Sequence, residues 1–366
     1  MTNLKISILC ITYNHEKFIR QSLESFMMQK TDFDFEVIVG EDCSLDTTRE
    51  IIKEFEQKYS HTIKPIYRDK NIGVMKNLID ILYRAKGKYI ALCEGDDYWT
   101  DCLKLQKQVD FLEAHDDYVL CAGKSLKRDG NDFHDFWSSQ TGTITFKDIA
   151  HSNFIVSNTV VFRNIFRNNE SCKMSNYLQC ALNGDIFLSL LLLMKGKGYI
   201  LPDCIGVYRM HDGGLMSKKP DREKYSRALK TRNIIIEYLK DIKADDSYIK
   251  DVEHGYLLML ESYLNNNMLT EEFMEIVPKH ILNRAINNYQ HQNEQLRSAG
   301  SVEGLIAERD AALAALTAIK RSTSWRLTAP VRLLGCLIKE DFPALGNALT
   351  YIKKRMGENV INRNEN

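Results

Sequence analysis

Residues 88–99 read Lys-Tyr-Ile-Ala-Leu-Cys-Glu-Gly-Asp-Asp-Tyr-Trp and join an apolar run to two adjacent carboxylates. A short apolar run that ends in turn residues predicts a buried strand, here residues 89–93. In an α/β sheet, ligands bind beyond the carboxyl ends of the strands, so Asp96 and Asp97 are expected at the mouth of a site. Two neighbouring carboxylates repel each other unless a cation, or a ligand that carries one, neutralises them. A solvated turn that caps the next helix is the alternative interpretation of this pair.

Two other predicted strands also end in polar loops. Residues 4–11 are apolar and lead into Thr12-Tyr13-Asn14, and residues 35–39 lead into an acidic loop that contains Asp42. A third strand and the amphipathic helices between the strands continue the pattern as far as residue 115. This alternation predicts a doubly wound α/β sheet whose strand-end loops converge on one edge. Asn14 is expected to cap the helix that follows the first strand.

The composition argues against several classes of protein. The 366 residues include 44% apolar and 27% charged side chains, which is typical of a soluble globular protein with a main domain and additions. The 49 basic and 49 acidic side chains balance, which argues against a general nucleic-acid binder. The nine cysteines are scattered without a Cys-x-x-Cys pair, so reduced thiols in a cytoplasmic compartment are expected, with neither a zinc site nor a disulfide framework.

Several familiar motifs are absent from the sequence. No Gly-x-Gly-x-x-Gly and no Gly-x-x-x-x-Gly-Lys-Ser/Thr segment follows a predicted strand, which disfavours a dinucleotide site and a P-loop ATPase. Residues 1–5 run directly into the first strand, so no signal peptide is expected. The most apolar run, residues 186–194, is too short to span a bilayer and predicts a buried helix.

Polar residues recur at predicted element ends in the second half of the α/β region. Residues 129–142 are expected to form a surface loop in which Trp137 either stacks on a sugar or anchors the loop. Asp185 opens the very apolar helix, either as its N-cap or as a catalytic carboxylate, and the two roles can coexist. Residues 198–202 and 205–210 are predicted as edge-like strands, before a Gly-rich segment at 211–214 that could close over a ligand.

Beyond Pro220 the pattern becomes helical. Leu305, Ala312 and Ile319 keep a heptad spacing, which favours a short coiled coil and hence a dimer or trimer. Residues 322–338 combine Trp, Arg and an apolar run, which suits either a membrane interface or a helix that packs on a partner chain. The predicted domains are a catalytic α/β domain, a helical domain, a coiled coil and an amphipathic tail, at residues 1–219, 220–290, 291–320 and 321–366.

Taken together, residues 4–216 resemble family 2 glycosyltransferases with the GT-A fold. Five segments in the family's order carry the resemblance. They are Ser-Ile-Leu-Cys-Ile-Thr-Tyr-Asn at 7–14, Glu-Asp-Cys-Ser-Leu-Asp-Thr-Thr at 41–48, Gly-Asp-Asp at 95–97, Asn-Gly-Asp at 183–185 and Tyr-Arg-Met-His at 208–211. The second segment departs from the family's Asp-Asp-Gly-Ser-x-Asp-x-Thr pattern, because Glu41 and Cys43 replace an Asp and a Gly. The third is similar to the family's metal-binding Asp-x-Asp.

The resemblance implies a mixed α/β GT-A sheet and a metal-dependent, inverting transfer from a nucleotide-diphosphate sugar. Asp97 is the implied ligand of Mn²⁺ or Mg²⁺, and Asp96 would bind the ribose or the metal. His211 would complete the metal shell or hold the diphosphate, although a strand-end histidine alone is more often structural. Asp185 would remove the proton of the acceptor hydroxyl.

The same resemblance implies a nucleotide pocket, most simply for a uracil base. Asp42 would accept a hydrogen bond from the base, and the Ile11–Thr12–Tyr13 backbone and Asn14 would line the pocket. Arg209 would add positive charge near the phosphates. The implied acceptor is a hydroxyl of a glycan or lipid-linked glycan in surface-polysaccharide synthesis, or of a protein or free saccharide. The enzyme would work in the cytoplasm, with a peripheral membrane contact through its tail as one option.

Two other functions are compatible with these residues. A sugar nucleotidyltransferase would use a similar sheet and a metal, but normally needs a glycine-rich basic loop near the N-terminus, and Thr12-Tyr13-Asn14-His15 is not one. A non-catalytic carbohydrate-binding or scaffold subunit would assemble a complex through its C-terminal helices. The intact carboxylates Asp96, Asp97 and Asp185 argue against that scaffold.

Overall fold

The computed structural model describes residues 4–136, 140–167, 172–214, 219–265, 276–278, 280, 281 and 284. The strands in this part of the chain are β1 (Leu4–Thr12), β2 (Asp34–Glu41), β3 (Ile63–Tyr67), β4 (Tyr89–Leu92), β5 (Tyr98–Trp99), β6 (Tyr118–Asp129), β7 (Asp132–Phe136), β8 (Gly142–Ile144), β9 (Val161–Arg163) and β10 (Lys197–Met210). The helices are α1 (Ile19–Met27), α2 (Thr48–Lys58), α3 (Val74–Arg84), α4 (Lys104–Ala114), α5 (Phe146–His151), α6 (Cys172–Cys180), α7 (Gly184–Leu193), α8 (Asp221–Asp241) and α9 (Asp246–Asn265).

One mixed sheet carries the fold, in the strand order β3-β2-β1-β4-β9-β6-β10-β5. The first four strands are parallel because a helix returns the chain between each strand and the next. β2 lies on one side of β1 and β4 on the other, and in open α/β sheets ligands bind beyond the carboxyl ends of the strands where the strand order reverses in this way. The structure confirms the predicted α/β class.

Apolar periodicity explains how the helices attach to the sheet. α1 buries Ile19, Leu23 and Phe26 completely, at the spacing of one helical face. α7 is apolar all round and buries every side chain from Ile186 to Leu193, as a helix inside a core does. No helix among the described residues has the length and apolar character that crossing a membrane requires.

Two local predictions are wrong. Residues 198–202 and 205–210 belong to one strand, β10, which lies beside β6 and also pairs with β5 and β8. Its register with β6 shifts between Ile200 and Cys204, where Pro202 lacks the N–H that a regular ladder needs. Residues 129–136 form a hairpin of β6 and β7. Trp137 lies outside the described residues.

The chain divides into two compact units, Met1–Val252 and Glu253–Asn366. The first unit includes α8, which lies beyond the predicted domain boundary at residue 219. The predicted coiled coil at 291–320 and the amphipathic tail at 321–366 lie outside the described residues, so both stay predictions.

A lysine is buried in the core of the first unit. Lys104 is fully buried, and its ammonium donates a hydrogen bond to Gln108 Oε1 at 2.8 Å and lies 4.2 Å from the centre of the Trp99 ring. Burial lowers the pKa of Lys104 from 10.5 to about 7. The neutral amine is therefore the form that the fold accommodates best.

We expect Lys104→Met to remove a pH-dependent part of the stability. Between pH 7 and 10.5 the unfolded lysine holds a proton that the folded one releases, so wild-type stability rises with pH, by at most about 1.4 kcal/mol per pH unit. Urea unfolding should show that the free energy of unfolding rises more between pH 7 and pH 9 for the wild type than for Lys104→Met. Lys76→Met, at an exposed position of α3, is the control, and parallel pH profiles for wild type and Lys104→Met would contradict the expectation.

Candidate active site

Backbone hydrogen bonds hold the loops after β1, β2 and β4 against one another. The Asp42 N–H donates to the Thr12 carbonyl at 3.0 Å, and the Gly95 N–H donates to the Ile11 carbonyl at 2.9 Å. A side chain at Gly95 would place its Cβ 2.6 Å from Thr12 Oγ1, so this close approach requires glycine. The predicted convergence of these loops at one sheet edge is therefore seen in the structure.

Asp96 lies between two histidines. His211 Nε2 is 3.1 Å from Asp96 Oδ2, and His15 Nε2 is 3.7 Å from the same oxygen. Burial raises the pKa of Asp96, but the hydrogen bond from His211 and the two nearby imidazoles outweigh it, and the net shift is downward. The ligand atoms of His15, Asp96 and His211 lie within 4.8 Å of one another, so these residues fit a single cation.

Asp97 points away from this cluster. It is 2% exposed, and its carboxylate accepts hydrogen bonds from the Arg209 N–H at 2.9 Å and from Asn158 Nδ2 at 3.0 Å. Burial, followed by the charges of Asp96 and Glu94, raises the pKa of Asp97 well above its usual value. In this structure Asp96 is the carboxylate that faces His211, whereas Asp97 faces Arg209 and Asn158.

Arg209 braces the loop that carries both carboxylates. Its guanidinium donates to the Asp96 carbonyl and to Gln21 Oε1, and it lies 4.3 Å from the centre of the Tyr98 ring. Arg209 is 6% exposed, and burial lowers the pKa of its guanidinium. In this structure Arg209 fixes the loop after β4 to β10, and its positive charge lies beside that loop.

The residues predicted for the nucleotide pocket lie in the linked loops after β1 and β2. The buried Asp42 carboxylate accepts the N–H groups of Ile72 and Gly73 at 2.8 and 2.9 Å. Tyr13 is 37% exposed and available to a ligand. Asn14 does not cap α1, which begins at Ile19, since its side chain accepts the Leu45 N–H at 2.8 Å and so ties the first loop to the second.

Asp185 stands at the start of α7. Asn183 occupies the N-cap position, so Asp185 is in the first turn and is not the cap. Its carboxylate accepts a hydrogen bond from Asn153 Nδ2 at 3.0 Å, and burial raises its pKa. A carboxylate with a raised pKa is suited to take up a proton.

Glu94 and His15 join the site although the motifs did not identify them. The Ser157 hydroxyl donates to Glu94 at 3.0 Å, and burial together with the charge of Asp96 raises the pKa of Glu94 to about 7. The charge of Asp185 also contributes to this shift, so Glu94 interacts electrostatically both with Asp96 and with the start of α7. Their positions in the sequence could have identified them, because Glu94 precedes Asp96 by two residues and His15 directly follows the turn at the end of the first strand.

Comparison with known proteins gives one family match and several relatives. Residues 7–173 match the sequence model of the family described as Glycosyl transferase family 2. The uncharacterized protein Rv1520 of Mycobacterium tuberculosis (strain H37Rv) is 37% identical over 227 residues, which cover 60% of this chain and 63% of that protein. The putative teichuronic acid biosynthesis glycosyltransferase TuaG of Bacillus subtilis is 28% identical over 223 residues, which cover 60% and 85% of the two chains.

Solved structures share the fold. Staphylococcus aureus TarS 1–349 in complex with UDP superposes with a TM-score of 0.55 at 18% identity and covers 76% of this chain and 82% of that one. The complex of the same protein with UDP-GlcNAc gives a TM-score of 0.53. The sheet is therefore GT-A-like, as the resemblance implied.

We expect Asp97→Ala to destabilise the protein more than Asp96→Ala does. Loss of the Asp97 carboxylate leaves the buried Arg209 N–H and Asn158 amide without an acceptor, at about 1–3 kcal/mol for each unpaired donor. The Asp96 side chain is 19% exposed, so in Asp96→Ala water can reach the groups that Asp96 contacts in the wild type. Urea denaturation of both variants measures the difference, and equal losses would contradict the structural role of Asp97.

Proposed function

We propose that this chain, which carries a glycosyltransferase family 2 domain at residues 7–173, is a metal-dependent inverting glycosyltransferase. It moves a sugar from a nucleotide-diphosphate sugar to a hydroxyl of a glycan or lipid-linked glycan. The observation that carries the proposal is the cluster of Asp96, His211 and His15, whose ligand atoms lie within 4.8 Å of one another. Glu94 couples this cluster to Asp185, a carboxylate whose pKa burial raises.

Asp96 and His211 would hold Mn²⁺ or Mg²⁺, whose contribution would be positive charge beside the departing nucleoside diphosphate. Asp42 and the loop from Ile11 to Asn14 bind the nucleoside, with the exposed Tyr13 ring as one wall. Arg209 keeps the loop after β4 in place and adds positive charge near the diphosphate. These residues bind and orient the donor.

Asp185 acts as the general base. It takes the proton of the acceptor hydroxyl as the hydroxyl oxygen attacks the anomeric carbon, and the bond from that carbon to the diphosphate oxygen breaks. Attack occurs on the face opposite the leaving group, so a single displacement inverts the anomeric configuration. One base suffices for this reaction, and Asn153 orients it through the hydrogen bond to its carboxylate.

The comparisons support the choice of donor and acceptor class. TarS, which shares the fold, has been crystallised with UDP and UDP-GlcNAc, and this favours a UDP-sugar as donor. TuaG is named for teichuronic acid biosynthesis, which favours an acceptor in surface-polysaccharide synthesis. Cys10, Cys43, Cys93, Cys102, Cys121, Cys180 and Cys204 are free thiols, which is compatible with an enzyme that works in the cytoplasm.

We expect Asp96→Asn and Asp185→Asn to separate binding from transfer. Asp96→Asn should abolish the Mn²⁺-dependent part of UDP binding, because it removes a ligand of the cation. Asp185→Asn should bind UDP and Mn²⁺ like the wild type but release UDP from a UDP-sugar about 10²- to 10⁴-fold more slowly, because it lacks the base. Calorimetric titration with UDP and Mn²⁺ measures binding, and a panel of UDP-sugars in a UDP-release assay measures turnover.

Asp34→Asn is the matched control, because Asp34 is an exposed carboxylate at the start of β2, the end of the strand opposite the site. It should leave both measurements unchanged. Release of pyrophosphate from a nucleoside triphosphate and a sugar phosphate would replace the proposal with a nucleotidyltransferase. Wild-type protein that binds no nucleotide would leave the scaffold as the function.

A further inference from the structure

We infer that His15 is a third protein ligand of the cation, and that the chain therefore binds Mn²⁺ in preference to Mg²⁺ before any nucleotide is present. The inference deepens the proposed function and rests on its metal site. It concerns His15, to which the sequence motifs assign no role. With three protein ligands, the cation would bind to the enzyme before the donor does. With fewer protein ligands, cation binding would depend on the phosphates of the donor.

The positions of the two imidazoles carry the first step. Nε2 of His15 and Nε2 of His211 both approach Asp96 Oδ2, at 3.7 and 3.1 Å, and the two rings lie 5.9 Å apart at an interplanar angle of 88°. Neighbouring ligands that each lie about 2.1 Å from one ion are about 3 Å apart. A shift of about 0.7 Å in the His15 ring would bring its Nε2 to this spacing from Asp96 Oδ2.

His15 is held in this position by its own contacts. The Thr12 hydroxyl is 3.2 Å from its Nδ1, so Nε2 is the nitrogen that faces Asp96. The backbone N–H of His15 donates to the hydroxyl of the buried Thr48 at 2.8 Å. Histidines that bind metals usually engage the other ring nitrogen in such a hydrogen bond, which fixes the tautomer and the direction of the ring.

The other two ligands are equally fixed. The Phe18 ring packs on His211 with a distance of 4.5 Å between ring centres. Arg209 donates to the backbone carbonyl of Asp96 and so sets the position of its side chain. The side chains of His15 and His211 are each 14% exposed, and that of Asp96 is 19% exposed, so water and phosphate oxygens can reach the remaining coordination positions.

The donor set decides which metal binds. The carboxylate oxygen suits Mn²⁺ and Mg²⁺ alike, but the two imidazole nitrogens are borderline ligands that first-row transition metals accept better than Mg²⁺, which prefers oxygen ligands and keeps most of its water. Three ligands that are already in place also reduce the cost of organising the site. Mn²⁺ should therefore bind to the nucleotide-free chain, and Mg²⁺ should bind it more weakly.

The test measures Mn²⁺ binding to the full chain by electron paramagnetic resonance, without nucleotide. We expect wild type to bind Mn²⁺ and to show electron spin echo modulation from two imidazole nitrogens. His15→Gln should show one nitrogen and a Mn²⁺ affinity lowered by roughly 10- to 100-fold, at least the loss that follows removal of a residue that hydrogen-bonds to a metal ligand. Thr12→Val keeps the ligand but removes its orienting hydroxyl, and should give a smaller loss of affinity with two nitrogens retained.

His61→Gln is the control, because His61 is exposed and precedes β3 at the opposite end of the sheet. A circular dichroism melt of each variant shows whether it folds, and Thr12→Val still tests the inference if His15→Gln does not. One nitrogen in the wild type, or equal Mn²⁺ affinities for His15→Gln and His61→Gln, would overturn it. Two nitrogens without UDP-sugar turnover would keep the metal site and refute the transferase. If the wild type turns over a UDP-sugar but shows modulation from only one nitrogen, the third ligand is refuted and the transferase stands.

Discussion

The site depends on how three carboxylates within four residues are accommodated at one sheet edge. Glu94, Asp96 and Asp97 cannot all carry an uncompensated charge in a partly buried loop. Asp97 turns inward and is satisfied by the Arg209 N–H and Asn158. Asp96 turns outward to the two histidines, while Glu94 accepts a hydroxyl and has a pKa of about 7. Each carboxylate thus has a different partner, and this division determines which of them can bind a cation.

The long-range strand pairing makes that division possible. β10 runs parallel to β6 over most of its length, and this pairing brings Arg209 and His211 to the loop after β4. Arg209 contributes twice, since its backbone satisfies Asp97 and its guanidinium holds the carbonyl of Asp96. The loop after β4 and the strand more than a hundred residues later are therefore joined by hydrogen bonds from both the backbone and the side chain of Arg209.

The same dependence explains what the sequence could predict. Apolar runs with turns at their ends are local, so the α/β sheet and the convergence of its loops followed from the pattern of residues 4–115. The distinction between Asp96 and Asp97 is not local, because Arg209 and Asn158 decide which carboxylate turns inward. His15 follows a turn and has no motif of its own, and its role emerges only when β10 delivers His211. Residues 198–202 and 205–210 are predicted as two strands, but a register shift lets one strand continue past Pro202.

The electrostatics of the site favour a cation for a reason separate from the positions of the ligands. Burial and mutual repulsion raise the pKa values of Glu94 and Asp97, as expected where several carboxylates share buried surroundings. Arg209 places a positive charge beside these carboxylates, and burial lowers the pKa of its guanidinium. A divalent cation beside Asp96 would offset the repulsion among the three carboxylates. The diphosphate of a donor would bring back negative charge, so cation and donor would each favour the binding of the other.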